Sequence, residues 1–258
     1  MDADEMLTVG VLTPHTAPGP DVEMPNMAPG RLRVEVSRIR NAASGASGKA
    51  GSASADGLRT QVGAAAVDEA ASALPPAMDV LAIGSTSAGY ALGHSDEFAL
   101  VKRLRERWGV PVCTPSRSAV SALRSRHVER IALVHPPWFG PGLNELGAEY
   151  FRSQGFEVVD ARLADLPQDP SRIEPAMVVE WVAQHLCHRA EAVFIGGNGF
   201  QAARAIHHLE RRTGRVVLEA NQVLLWSILQ NTGASVAIRG FGKLLEDRQP
   251  AGITTKER

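Results

Sequence analysis

Thiols are scarce in this sequence. Cys113 and Cys187 are the two cysteines among 258 residues. Nothing in their positions argues for a disulfide, and a reducing cytoplasm with free thiols is the simplest expectation. Charge of one sign is lacking too: acid and base nearly cancel, leaving a formal charge of −1. No stretch is both basic and interleaved with aromatics, so no nucleic-acid partner is expected. The run Arg103 to Arg107 reads as the solvated face of a helix. No segment reaches the roughly 18 to 20 apolar residues of a membrane span, so no membrane contact is expected. The acidic start, Met1 to Met6, lacks the positive region and apolar run of a secretory signal. Familiar motifs are absent as well. There is no G-x-G-x-x-G after the first strand, no G-x-x-x-x-G-K-[ST] and no G-x-S-x-G elbow. His185, Cys187 and His188 have no further carboxylate or thiol at ligand spacing. His207 and His208 are adjacent on a helix and face different directions, so no metal is expected.

What is present is an alternation of β-rich and helical runs. Leu7 to Leu12 reads as a first strand, stopped by Pro14, and Leu32 to Ile39 alternates apolar and polar with the period of a second. The Gly-, Ala- and Ser-rich stretch 41–57 reads as a loop. The spacing predicts one helix over 57–74, closed by Pro75-Pro76, then a fully apolar strand at Val80 to Ile83. Such strands belong to parallel sheets covered on both faces. A helix near 95–108 and a short strand over 111–113 follow. The second half repeats the order: strands at 130–134, 156–161, 192–195 and 216–218, and helices near 145–153, 173–188, 200–213 and 222–230. Trp181 and Trp226 fit apolar helix faces. Strands alternating with helices imply βαβ units and a mainly parallel sheet.

The two halves match in detail. Asp79-Val80-Leu81-Ala82-Ile83-Gly84 parallels Glu191-Ala192-Val193-Phe194-Ile195-Gly196, and Gly109-Val110-Pro111-Val112 parallels Gly214-Arg215-Val216-Val217. The expected class is α/β with two pseudo-symmetric lobes, each a mainly parallel sheet flanked by helices, with the site in the cleft between them. The expected boundaries are 1–116 for the first lobe, completed by 222–258, and 117–221 for the second. Ligands of parallel sheets bind beyond the carboxyl ends of the strands, where Gly84-Ser85-Thr86-Ser87 and Gly196-Gly197-Asn198-Gly199 fall. Glycine lets backbone approach a ligand, and the helix that follows begins with N–H groups that attract anions. Hydroxyls of Thr86 and Ser87 and the amide of Asn198 would suit a carboxylate or a developing oxyanion.

These residues resemble a known family. Val9-Gly10-Val11-Leu12-Thr13-Pro14 is similar to the opening of maleate cis-trans isomerases and arylmalonate decarboxylases, within the Asp/Glu racemase superfamily. Ser37-Arg38-Ile39, Gly84 to Ser87, Pro111 to Ser116, Val193 to Gly199 with Ala205-Ile206, and Asn221-Gln222 before a Trp-containing helix resemble its further motifs, in order, over about residues 7 to 235. The resemblance implies two lobes, no cofactor, a small carboxylate ligand and a fold compatible with a homo-oligomer. It also implies cysteines in the turns, one per turn in the racemases and isomerases and the second alone in the decarboxylases, and here the aligned positions are Ser85 and Gly197. The family's early asparagine falls near Ala17, and its later tyrosine near Pro137-Trp138. Serine is a far poorer proton acceptor than a thiol of pKa about 8.5, so two-thiol chemistry is not expected. Decarboxylation asks less: an enediolate must be stabilised and a proton delivered. Ser85 and Tyr90 are the candidate catalytic residues. Pro14, Thr86, Ser87, Trp138, Gly197, Asn198, Gly199 and Asn221 are the candidate substrate-binding residues. The implied activity is decarboxylase-like or isomerase-like on a small (di)carboxylic acid. The alternative is a catalytically degenerate carboxylate-binding protein of the same fold.

Overall fold

A computed structural model describes residues 6–15, 18–40, 54–234 and 236–247. The first four strands are β1 (Leu7–Thr13), β2 (Leu32–Arg38), β3 (Val80–Ile83) and β4 (Val112–Cys113). They pair in the order β2-β1-β3-β4, and every pairing is parallel. The next four, β5 (Arg130–His135), β6 (Glu157–Leu163), β7 (Ala192–Ile195) and β8 (Val216–Glu219), pair as β6-β5-β7-β8, again all parallel. The expected two-lobed α/β architecture is thus present, with one strand order used twice.

The helices are α1 (Pro20–Met27), α2 (Ala55–Gln61), α3 (Ala64–Ser72), α4 (Thr86–Trp108), α5 (Pro115–Ser125), α6 (Pro141–Ser153), α7 (Pro175–His185), α8 (Ile206–Thr213), α9 (Ala220–Thr232) and α10 (Lys243–Glu246). They cover both faces of each sheet. In β3, Val80 and Ala82 join one apolar cluster, which runs on through the second lobe, while Leu81 and Ile83 join another with Val67, Ala71 and Leu104. Each fully buried Val, Leu or Ile side chain contributes about 1.5–3 kcal/mol, so a strand with no polar position is held from both sides. Helix α9 packs on β3, β4, α1 and α5 as well as on β8.

Four expectations about elements need correction. The single helix over 57–74 is two helices, α2 and α3, because Gly63 takes an extended conformation (ψ 155°) between them. The loop over 41–57 lies outside the described residues up to 53, but Ala55 to Gly57 already belong to α2, whose first turn Ser54 caps through Gly57 N–H. The helix near 95–108 begins at Thr86 and bends at Gly93, where φ is 74° and ψ 165°. Helices α1 and α5 were not anticipated. Proline opens both, and a second proline, Pro25, lies inside α1.

The duplication fixes the turns. In the first lobe Gly84 N–H donates to Leu12 O (2.8 Å), and in the second Gly196 N–H donates to Val134 O (2.9 Å). At the opposite ends of the strands, Asp79 accepts from Thr8 N–H (2.7 Å) and Glu191 from Arg130 N–H (3.0 Å). Leu12 pairs with Ile83, and Val134 with Ile195. Thr13 is therefore the counterpart of His135, Pro14 of Pro136, Ser85 of Gly197, and Thr86 of Asn198.

Candidate functional site

The two turns touch. Thr86 donates to Asn198 Oδ1 twice, from its backbone N–H and from its hydroxyl, both at 2.8 Å. Gly197 N–H donates back to Thr86 Oγ1 at 3.2 Å. The pseudo-equivalent residues of the two lobes thus bond to each other. The chain of bonds goes on into the interior. Asn198 Nδ2 donates to Asn221 Oδ1 (2.7 Å), and Asn221 Nδ2 donates to Glu23 Oε2 (2.7 Å) and to Asn198 O (2.9 Å). Glu23 Oε1 accepts from Ala203 N–H at 2.9 Å. Asn198, Asn221 and Glu23 are all buried. A buried amide must find partners for both its donors and acceptors, and here each does so from another member of the set.

Burial pushes Glu23 up to about 7, against the pull of its bonds to Asn221 and Ala203. Glu219, fully buried at the start of α9, is raised further by burial and by the nearby Glu23. Its Oε2 caps the helix by accepting from Asn221 and Gln222 N–H, both at 2.9 Å.

Glycine is required in the turns on steric grounds. A Cβ at Gly84 would stand 2.6 Å from Pro20 Cγ, and one at Gly196 would stand 2.7 Å from His135 Cδ2. Gly197 has φ +93°, and a Cβ there would lie 2.8 Å from Pro136 Cγ. Gly199 faces open space.

Three side chains gather on the other side of Thr86. His15, just past the end of β1, places Nε2 3.2 Å from Ser85 Oγ and 3.5 Å from Ser87 Oγ. The two serine hydroxyls are 3.1 Å apart. Ser85 Oγ also accepts from Ala88 N–H at 3.2 Å, which makes it the N-cap of α4. Burial, and then the positive charge of Arg38, lower His15 to about 4. Arg38 holds the His15 backbone carbonyl through Nη1 at 2.6 Å and pairs with Asp21 at 3.7 Å. The imidazole is therefore neutral near pH 7. Ser85 Oγ, Ser87 Oγ and His15 Nε2 lie within hydrogen-bond reach of one another, and either serine hydroxyl can donate to the ring nitrogen.

The other anticipated residues are dispersed. Tyr90 is turned inward, its hydroxyl 3.1 Å from His135 Nε2. His135 Nδ1 lies 2.8 Å from Asn144 Oδ1, while Asn144 Nδ2 donates to Ala161 O. Nδ1 must then carry the proton, so Nε2 accepts from Tyr90. Burial raises Tyr90 well above the usual phenol value. This hydroxyl lies beneath the second turn rather than beside Ser85. Pro14 O accepts from Gln61 Nε2 at 3.2 Å. Trp138 meets Phe200 edge-on, with ring centroids 5.8 Å apart. Thr86, Asn198 and Asn221 were expected to bind substrate, but their side chains are engaged with one another. His15 went unnoticed in the sequence. The signal was available: β1 and β3 are neighbours ending at one level, so the residues after β1 face the turn after β3.

Cys113 is buried beneath Ser227 and Asn231, and burial pushes its thiol to about 11. Cys187 follows α7. Neither lies in a turn. Among the described residues no group of three His, Cys, Asp or Glu could hold a metal, and no helix is long and apolar enough to cross a membrane. A cleft of about 470 Å³ opens between the bend of α4 and α6, lined by Arg59, His94, Glu149 and Tyr150 among others. It includes none of His15, Ser85, Ser87 or Asn198, and the convergent polar groups favour the turns as the candidate site.

Comparison with known proteins agrees with the fold. A maleate isomerase of Pseudomonas putida is 29% identical over 176 residues, 65% of this chain and 70% of that protein. An arylmalonate decarboxylase of Bordetella bronchiseptica is 24% identical over 178 residues, covering 65% and 71%. A crystal structure of a Pseudomonas putida maleate isomerase superposes with a TM-score of 0.81 at 22% identity, over 94% of this chain and 99% of that one. A Nocardia farcinica maleate cis-trans isomerase with a covalently bound succinylcysteine intermediate gives 0.78 at 21% identity, over 94% and 99%. The arylmalonate decarboxylase family model matches residues 39–245, most of the chain, and the chain belongs to that family.

Proposed function

We propose that this chain is a cofactor-independent enzyme acting on a small mono- or dicarboxylic acid, as a decarboxylase-like lyase or an isomerase, through an enediolate-type intermediate. The observation that carries this reading is the pair of bonds from Thr86 to Asn198. They clamp the two turns together at the strand ends, and they hold Ser85, Ser87 and His15 as a polar group at the N-terminus of α4. Family membership adds to it, since the named relatives are an isomerase and a decarboxylase.

Thr86, Asn198 and Asn221 position the turns. Of the first-turn N–H groups of α4, those of Thr86 and Ala88 are bonded to Asn198 and Ser85, and that of Ser87 is the one offered to the charge that develops on an enediolate oxygen; a donor fixed in advance lowers the barrier because it needs no reorganisation. The Ser85 hydroxyl is the group placed to exchange a proton with the substrate.

The test is incubation in D₂O with substituted malonates, maleate and amino acids, followed by proton NMR. Deuterium entering at the α-carbon, loss of CO₂ or cis–trans conversion supports the reading. Saturable binding across the panel with no turnover contradicts it and favours a carboxylate-binding protein.

A further inference from the structure

We propose that Tyr90 and His135 are positioning residues: the hydrogen bond between them is a second tie between the lobes, and it holds the second turn in place against Ser85. The inference deepens the reading above and rests on it for the location of the site. It does not depend on which acid is the substrate.

Thr86 and Tyr90 are four residues apart, so they lie on one face of α4. Both reach the second lobe. Thr86 bonds to Asn198, inside the second turn. Tyr90 bonds to His135, the last residue of β5, at 3.1 Å. Asn144 takes up the other ring nitrogen at 2.8 Å and is itself held by Ala161 O, so the imidazole cannot turn without losing two bonds. The pair lies directly against the second turn. A Cβ at Gly196 would stand 3.1 Å from the Tyr90 hydroxyl and 3.1 Å from His135 Nε2. Pro136, next in the chain, is the residue that a Cβ at Gly197 would strike. The turn is thus gripped at Asn198 by one tie and beneath Gly196 by the other, and α4, whose first residues carry Ser85 and Thr86, supplies both.

Packing alone does not account for the pair. Tyr90 and His135 are buried, and their rings meet edge-on with centroids 5.3 Å apart. Two apolar side chains would fill that volume with no polar groups to satisfy. The hydrogen bond adds what they would lack, a fixed direction and length. The second lobe also gives up helix propensity to make room. Gly147 lies inside α6, where a Cβ would stand 2.8 Å from His135 Cε1 and 2.8 Å from Tyr90 Cε2; alanine is otherwise preferred in a helix interior. One further polar contact joins α4 to α6, from the Tyr150 hydroxyl to Glu97. It lies beyond the bend at Gly93, away from the turns, and provides a control.

The experiment is amide hydrogen exchange, read by NMR on the isotope-labelled full chain, beside turnover in D₂O. Tyr90→Phe keeps the ring and removes only the tie. The N–H groups of Thr86 and Gly197, which belong to the other tie, should then exchange about tenfold faster, as the loss of one hydrogen bond implies. The amides of β1 should keep the parent's rate. Tyr150→Phe should leave Thr86 and Gly197 unchanged. His135→Leu should match Tyr90→Phe, and His135→Gln, whose amide oxygen replaces Nε2 as acceptor, should restore most of the lost protection. With an acid that the parent turns over, Tyr90→Phe should lower kcat at least about tenfold and leave KM unchanged, the signature of misplaced groups around an intact binding site. Exchange at Thr86 and Gly197 that is unchanged in Tyr90→Phe, that rises equally throughout both sheets, or that rises as much in Tyr150→Phe overturns the proposal. Equal kcat for parent and Tyr90→Phe, despite faster exchange, overturns the positioning role. Faster exchange at the turns with no turnover by the parent upholds the tie and sinks the enzyme reading alone.

Discussion

Single residues set the asymmetry of this site. Ser85 and Gly197 are equivalent by strand register, yet one carries a hydroxyl and the other has no space for a Cβ. The strain of φ +93° and the approach to Pro136 predict that Gly197→Cys destabilises the chain by on the order of 1–3 kcal/mol, measured by chemical denaturation. The variant is also expected to gain no racemising activity; an undiminished stability would show that the second turn is softer than its contacts imply. The run Gly-Ser-Thr-Ser after four apolar residues was legible as a capped turn, and Gly-Gly-Asn-Gly as its counterpart. His15 was not, because nothing local marks it. Its role arises from strand adjacency, a non-local property that a residue-by-residue reading misses.

At the scale of elements, α4 carries the site at one end and docks on α5 and α6 along its length. Gly89 lies tight against α5: a Cβ there would lie 2.7 Å from Glu97 Oε1 and still nearer the Ser116 hydroxyl. Gly89→Ala is therefore expected to cost on the order of 1–3 kcal/mol, as overpacking does. A calorimetric Tm equal to that of the parent would contradict it. The same glycines explain why only the second half of α4 was visible beforehand: Gly89 and Gly93 interrupt its apolar period, and tertiary packing overrides the propensity. Helix α1 was hidden by Pro20 and Pro25, although Pro20 stands at a helix start where proline is tolerated. Strands, by contrast, were readable to within a residue or two, since β3 and β7 are unbroken apolar runs.

Across the whole molecule the lobes are joined through a buried polar chain from Glu23 to Thr86. Asn198→Ala would leave the Thr86 N–H, the Thr86 hydroxyl and Asn221 Oδ1 with unmet needs, at on the order of 3 kcal/mol; a loss below about 1 kcal/mol in denaturant would show that the chain is not a clamp. Ionisation divides the pH response. Glu23 stays protonated in the folded chain to about pH 7, whereas its ordinary value is 4.5. The unfolded chain releases that proton first, so this group lowers stability as pH rises from 4.5 to 7, with Glu219 acting in the same sense. His15 and His135 act oppositely. Each is lowered from 6.5 to about 4, so their contribution is whole above 6.5 and is lost as pH falls toward 4. Glu23→Gln should flatten the first trend and leave the second, as read from unfolding free energy against pH. The duplicated halves made the two-lobed plan legible in the sequence; the polar chain was not, because its members lie up to 198 residues apart. The most direct test of the account is proton NMR in D₂O of the parent chain beside Ser85→Ala, with substituted malonates and maleate. The account predicts deuterium incorporation, CO₂ loss or isomerisation by the parent, reduced at least about a hundredfold in the variant. Equal turnover by both, or ligand binding without turnover by the parent, would contradict it.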